Sequence, residues 1–245
     1  NVFGLLGKVQ PPQLGLFPDQ ELLSGYPQVN EQSESALRYA LSACGSMVAP
    51  QARAAVLAAE KEHGARRGWL WARMGRSPLA IALGHLALLA ERSASVPIGQ
   101  TPAELAADYQ QTGWQVDQAA LHALGCVHAK ADLEAVSAAL RALYLPWMEE
   151  AARRLQEAAK AAGGLPPLPT EQNNGVGAGT CTVFVDGLRY DTAVQLQQRL
   201  SALGGTTLST RWTSLPSVTA SGKAWCSPVS AHIAGTAEDS EFEPR

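Results

Sequence analysis

The sequence has few cysteines, and their spacing does not form a disulfide framework or a zinc knuckle. Only four occur among 245 residues, at Cys44, Cys126, Cys181 and Cys226, and no two of them form a C-x-x-C pair. Isolated cysteines this far apart are typical of reduced thiols inside the cell. We therefore expect a cytoplasmic protein without structural disulfides.

Long apolar runs and an excess of one charge sign are also missing. The longest apolar stretch, "SPLAIALGHLALLAERS", is shorter than the roughly 20 residues that cross a bilayer and ends in charged residues. No signal peptide is recognisable at the start. A net charge of −3 and a pI near 6.0 give no overall basicity that would favour nucleic acid or a membrane surface. With 46% apolar and 17% charged residues, the composition is that of a globular protein rather than a disordered one.

Residues 30–162 have a helical pattern almost throughout. Leu and Ala recur at spacings of three and four residues, and start and stop signals separate about six helices. Asn30 or Ser33 is expected to cap the first helix, and Thr101 with Glu104 forms a capping-box pattern at the start of a later one. The high Ala content allows close helix packing, so the pattern predicts an irregular bundle.

Pro- and Gly-rich segments bound this helical domain. Residues 1–29 form an extended lead-in, and residues 163–179, "GGLPPLPTEQNNGVGAG", form a linker. The pattern of residues 180–245 is different, because strands are predicted here as well as a helix. The β-branched run "TCTVFVD" predicts a buried strand. An amphipathic helix, "YDTAVQLQQRLSALGG", and a second strand, "TTLSTRWTSL", are predicted after it. The predicted class is α+β multidomain, with a bundle-like helical domain followed by the first part of an α/β domain.

Asp186 and Thr219 are the candidate site residues of the α/β segment. Asp186 directly follows the first predicted strand, where ligands of parallel sheets bind, and Gly187 permits a tight turn beside it. Thr219 lies 33 residues later on the turn "LPSVTASGK", after the second predicted strand. A carboxylate at such a place commonly binds a divalent cation, and a nearby Thr hydroxyl can then attack phosphorus. The pattern therefore predicts metal-assisted phosphoryl transfer.

Other interpretations of Asp186 stay open on pattern alone. Acids at the end of a buried strand also occur in response regulators, in other phosphatase folds and in many nucleotide-binding domains. Asp186 could serve only to cap the helix that follows. It could instead be a covalent phosphate acceptor, which would leave Thr219 without a nucleophilic role.

The paired motifs "VFVDGLRYD" and "PSVTA" resemble the PglZ family, a branch of the alkaline phosphatase superfamily linked to BREX-type phage defence. The family pattern is an apolar strand, then Asp-Gly/Ala-Leu-Arg-Tyr-Asp, then a Pro-x-x-Thr-Ala turn. The motifs cover roughly 45 residues of this chain. The helical segments "RRGWLWARMGRSPLAIAL" and "LRALYLPWMEEAARRLQ" also resemble segments that precede the domain in such proteins.

The resemblance implies a two-metal site with two divalent cations, taken to be zinc. Asp186 would be the first metal-binding carboxylate, and Thr219 the nucleophile that also contacts a metal. The superfamily completes this site with further Asp and His residues from later strands, yet His232 is the only histidine after the motif. The start "NVFGLLGKVQ" is not typical of a native N-terminus. We therefore expect a fragment that holds half an active site and is inactive when isolated.

The function implied by the resemblance is metal-dependent hydrolysis of a phosphate ester within a bacterial phage-defence system. The enzyme would be a phosphatase or a phosphodiesterase. Its expected partners are other defence proteins, and its substrate is a phosphate ester, which could be part of a nucleic acid. The alternative is a non-catalytic assembly subunit, in which the helical domain binds partners and the phosphatase-like domain is degenerate.

A second candidate surface is the segment "HGARRGWLWARMGR", which interleaves four arginines with Trp69 and Trp71. Basic and aromatic side chains together can bind nucleic acid through charge and stacking. The simpler interpretation is a helical segment whose tryptophans are buried and whose arginines are solvated. The histidines His122 and His128 are six residues apart, which does not place them on one helix face as a metal-binding pair.

Overall fold

The computed structural model describes residues 4–5, 7–9, 24–166, 179, 181, 183, 185–210, 212 and 219. The chain divides into two compact units, Asn1–Ala158 and Ala159–Arg245. Most of the lead-in, most of the 163–179 linker and all of 220–245 lie outside the described residues.

The first unit is a helical domain, as the pattern predicts. Among the described residues, the chain forms the following α-helices: α1 Pro27–Ala43, α2 Ala49–His63, α3 Leu70–Arg73, α4 Pro78–Arg92, α5 Pro102–Asp108, α6 Trp114–Gly125, α7 Lys130–Ala161 and, in the second unit, α8 Tyr190–Leu200. A π-helical turn, Tyr109–Gly113, joins α5 to α6.

Helix α4 is the centre of the first unit. It packs against α1, α2 and α6. Ala82 and Ala90 are buried in this helix, and four of its five leucines are fully removed from solvent: Leu79, Leu83, Leu86 and Leu89. The small alanines let neighbouring helices approach closely while the leucines fill the space between them.

The capping box predicted at α5 is confirmed. The Thr101 hydroxyl accepts a hydrogen bond from the Glu104 backbone N–H at 3.2 Å, and the Glu104 carboxylate accepts one from the Thr101 backbone N–H at 3.3 Å. Two backbone donors that have no partner inside the helix are thereby satisfied.

The predicted cap of α1 is wrong. The helix begins at Pro27, whose fixed φ suits the first turn, so Asn30 and Ser33 lie inside it. The Asn30 side chain is buried and donates to the backbone carbonyl of Arg76 at 2.8 Å, while its oxygen accepts from Ser77 at 2.7 Å. Asn30 therefore ties α1 to the segment that precedes α4, instead of capping its own helix.

A buried ion pair between Glu34 and Arg66 completes this junction. Arg66 Nη2 donates to Glu34 Oε1 at 2.6 Å, and both side chains are less than one-tenth exposed. The same carboxylate accepts hydrogen bonds from the backbone N–H groups of Leu79 and Ala80 at 2.9 and 3.2 Å. Glu34 of α1 thus caps the N-terminus of α4, where a negative charge also suits the helix dipole.

Helix α7 is the longest element and continues through Pro146. Trp147 is buried beside this proline, and its indole N–H donates to the backbone carbonyl of Ser95 at 2.8 Å. The ring also stacks on Tyr144, with centroids 6.2 Å apart. Within the described part of the chain, no helix combines the length and the apolar character that a membrane crossing would require.

The second unit contains α8, which the sequence predicts, but the described residues of this unit contain no β-strand. Cys181, Val183 and Val185 of the predicted first strand have no regular secondary structure, and Val183 is 78% exposed. The expectation of a buried strand is therefore not met by these residues. A strand requires neighbouring backbone to pair with, and the described residues supply none. The second predicted strand lies partly outside the described residues.

Replacing Glu34 with Gln tests the buried junction. The change leaves the Arg66 guanidinium buried without its counter-charge, so we expect the free energy of unfolding in urea to fall by about 3–5 kcal/mol. Glu31→Gln removes the same charge from an exposed position of the same helix and should cost less than about 0.5 kcal/mol. Equal losses in the two variants would contradict the role assigned to Glu34.

The surroundings of His85 predict that the stability of the helical domain depends on pH. The His85 ring packs edge-on against that of His122, with the ring centroids 5.1 Å apart. Burial is the main cause that lowers the pKa of His85 from its ordinary value, and the nearby charges of His122 and Arg67 lower it further. The folded state therefore binds this proton less readily than the unfolded chain, and stability falls as the pH drops below about 6.5. His63 contributes in the same direction, because burial also lowers its pKa.

We expect His85→Gln to lose less unfolding free energy than the wild type between about pH 7.5 and pH 5.5, as measured by urea titration. His128→Gln, at an exposed position, is the matched control and should follow the wild type. A His85→Gln variant with the wild-type pH dependence would refute this assignment.

Candidate functional site

The loop before α8 positions the predicted acid. Gly187 has a φ of +65°, a left-handed conformation that side-chain-bearing residues rarely adopt, and it forms a turn with Asp186. Arg189 is extended and is the last residue before the helix starts at Tyr190. The glycine therefore allows the chain to reverse directly after Asp186, which leaves the carboxylate exposed at the turn.

The structure brings Asp186 and Thr219 together. The Thr219 hydroxyl donates a hydrogen bond to Asp186 Oδ2 at 3.5 Å, although 33 residues separate the two in the sequence. Both residues are exposed, and both belong to the second unit. A hydroxyl and a carboxylate are thus neighbours at an exposed surface.

The spacing of these two oxygens suits a shared divalent cation. Zinc lies about 2.1 Å from an oxygen ligand, so two oxygens on one tetrahedral zinc ion are about 3.4 Å apart. The observed separation of Oγ1 and Oδ2 is 3.5 Å. Both atoms are oxygen donors of the kind that zinc and magnesium accept. Asp186 and Thr219 therefore fit two positions of a metal coordination shell.

The remaining ligands are not found among the described residues. No cluster of three or more His, Cys, Asp or Glu side chains that could hold a metal occurs in the part of the chain that the structure describes. His232, Lys223 and the hydroxyls of Ser217 and Ser221 lie outside that part. The described site therefore consists of one carboxylate and one hydroxyl.

Asp191 lies at the start of α8, where an acid often caps a helix, but it does not act as a cap. It lies inside the first turn of α8 and makes no capping hydrogen bond. Its side chain is fully buried and pairs with Arg189, whose Nε donates to Oδ1 at 3.0 Å and whose Nη2 donates to Oδ2 at 3.4 Å. The sequence could not distinguish a cap from this pair, because both uses place an acid at the start of a helix.

The Arg- and Trp-rich segment is largely structural. Arg66 is buried against Glu34, and Arg67 pairs with Glu60. Trp71 is 1% exposed, and its indole N–H donates to the Ser24 carbonyl. Neither Arg66 nor Trp71 is accessible for stacking on a nucleotide base, so the described geometry favours the simpler interpretation of this segment.

Comparisons with known proteins identified no relative of this chain. No protein-family model, no curated protein and no solved structure matches this chain. The functional interpretation therefore uses the geometry of Asp186 and Thr219 together with the motif resemblance of the surrounding sequence.

Proposed function

We propose that this chain carries part of the active site of a metal-dependent phosphohydrolase of the PglZ type. The observation that supports it is the contact between the Thr219 hydroxyl and the Asp186 carboxylate. The motif resemblance makes the same pair the nucleophile and the first metal ligand. On this proposal, residues 180–245 begin an α/β domain of the alkaline-phosphatase type.

In the proposed mechanism, Asp186 prepares Thr219 for attack. A neutral hydroxyl is a weak nucleophile, and an adjacent base increases its reactivity. The Asp186 carboxylate accepts the Thr219 hydrogen bond, so it lies where the proton departs.

The chemical step then proceeds by phosphoryl transfer to Thr219. The Thr219 oxygen forms a bond to phosphorus while the bond from phosphorus to the leaving alkoxide breaks, and the Thr219 proton passes to Asp186. Water afterwards cleaves the bond between phosphorus and Thr219, which releases inorganic phosphate from a monoester substrate or a phosphate monoester from a diester substrate. A divalent cation would be held here by Asp186 and Thr219 and would stabilise the negative charge that develops during transfer.

The cellular setting follows from the same resemblance. We propose a bacterial phage-defence system in the cytoplasm as the setting, with other defence proteins as partners. Among the described residues, Cys44, Cys126 and Cys181 are free thiols, which is compatible with a reducing compartment. The substrate is a phosphate ester, either a small molecule or part of a nucleic acid.

Substitution of Thr219 tests the proposal in the full-length protein that contains this sequence. The protein is stripped of metal with a chelator and reloaded with zinc, and hydrolysis of p-nitrophenyl phosphate and bis(p-nitrophenyl) phosphate is followed. We expect zinc-dependent hydrolysis of at least one ester. Thr219→Ala and Asp186→Asn should each lower kcat by about 100-fold or more, because they remove the nucleophile and its base. Thr207→Ala, at an exposed position of the same unit, should leave kcat unchanged.

The outcomes separate the proposal from its rivals. Zinc-dependent hydrolysis that survives Thr219→Ala but not Asp186→Asn would make Asp186 the covalent acceptor and exclude Thr219 as nucleophile. A full-length protein that binds no zinc and hydrolyses neither ester would contradict the proposal and favour an assembly subunit without catalytic activity.

A further inference from the structure

A polar cavity of about 230 Å³ lies beside α1 in the first unit. The described residues that line it belong to α1, to α3, to the segment that leads into α4 and to the first turns of α4 and α7. Binding pockets for drug-sized molecules commonly have volumes of about 300–1,000 Å³. The cavity therefore suits a smaller molecule.

An ion pair between Arg38 and Asp132 forms part of the cavity wall. Arg38 Nε donates to Asp132 Oδ1 at 2.6 Å, and the Asp132 side chain is 6% exposed, whereas that of Arg38 is 35% exposed. Within the part of the chain that the structure describes, the Nη atoms of Arg38 and Oδ2 of Asp132 form no hydrogen bond. The same pair therefore still has donors and an acceptor for a molecule in the cavity.

The cavity wall carries charges of both signs. Glu31 adds an exposed carboxylate that has no hydrogen bond or ion pair among the described residues, and Arg76 adds a second guanidinium. The remaining acid of the wall, Glu34, is neutralised by its buried ion pair. The charges of Glu31 and Asp132 thus balance those of Arg38 and Arg76. A ligand with net charge would upset this balance, so the wall favours a ligand with one charge of each sign.

Apolar residues complete the cavity wall. Pro27 and Pro78 each begin a helix, and Trp71 is held by the hydrogen bond from its indole N–H to the Ser24 carbonyl at 2.8 Å. Apolar surface gains free energy when it covers another apolar group and cannot compensate a third charge. The uncharged part of a ligand in this cavity is therefore expected to be apolar.

We propose that this cavity binds a free α-amino acid with an apolar side chain. The two Nη groups of Arg38 match the two oxygens of the ligand carboxylate, and Asp132 with Glu31 accepts hydrogen bonds from the ligand ammonium. An α-amino acid carries its charged groups on neighbouring carbon atoms, which suits receptors that contact each other directly, as Arg38 and Asp132 do. The apolar side chain of the ligand packs against Pro27 and Pro78. This inference does not depend on the function proposed for Asp186 and Thr219.

Matched ligands test the assignment on the unaltered protein. L-leucine and L-phenylalanine are titrated by calorimetry into the full-length protein that contains this sequence. The analogues without the amine are 4-methylpentanoate and 3-phenylpropanoate, and those without the carboxylate are 3-methylbutylamine and 2-phenylethylamine. At least one amino acid should bind. Its two analogues should bind about 10-fold more weakly or worse, because each lacks one set of charge-assisted hydrogen bonds.

Two isosteric substitutions locate the ammonium site. Asp132→Asn retains an acceptor for Arg38 but removes the buried charge, and it should weaken amino-acid binding by about 10- to 100-fold. Glu31→Gln, at an exposed position, should weaken binding by about 2- to 5-fold without changing urea unfolding. Glu149→Gln, an exposed acid that does not line the cavity, is the matched control and should leave affinity unchanged.

The amine-free analogues separate ligand binding from a structural role. Because they carry no ammonium, Asp132→Asn and Glu31→Gln should not weaken their binding, whereas general damage to the cavity would weaken every ligand alike. A wild-type protein that binds neither amino acid would overturn the inference. Analogues as tight as their parents would do the same, and this comparison stands even where Asp132→Asn fails to fold. Wild-type amino-acid affinity in a folded Asp132→Asn variant would also contradict the assignment.

Discussion

The functional account depends on one contact, the hydrogen bond from the Thr219 hydroxyl to the Asp186 carboxylate. Neither residue has distinctive chemistry by itself, since a surface acid and a surface threonine occur on every protein. Together they place a hydroxyl beside a carboxylate, at a spacing that also suits two ligands of one divalent cation. The surrounding loop supports this arrangement, because Gly187 reverses the chain and the Arg189–Asp191 pair fixes the entry to α8.

The helical domain is organised by a different constraint. Glu34 of α1 neutralises the buried guanidinium of Arg66 and caps α4, and the neighbouring Asn30 connects the same two helices. Burial of unpaired charge is costly, so these partners hold the elements in one arrangement. The leucines of α4 then form the centre of the core. The polar side chains described at this junction therefore hold the helices of the domain together.

Local sequence signals predict the helices of this protein well, but they do not predict the contacts between residues that are far apart in the sequence. The capping box at Thr101 is complete within four residues, so its physics is visible in the sequence. The sequence around Asn30 also predicts a helix cap, but the helix begins earlier, at Pro27. The Asn30 side-chain amide instead forms hydrogen bonds with residues 46 and 47 positions away. The buried role of Glu34 has no local signal. The run ending at Val185 shows the same limit, because strand formation depends on pairing partners elsewhere.

The location of bound zinc is the most direct test of the central claim. Crystals of the chain grown with zinc, with diffraction recorded at the zinc absorption edge, would give anomalous peaks that identify the ion. The account predicts a peak at about 2.1 Å from both an Asp186 oxygen and the Thr219 oxygen. Ordered Asp186 and Thr219 side chains with no zinc between them, or with zinc bound only elsewhere, would contradict it.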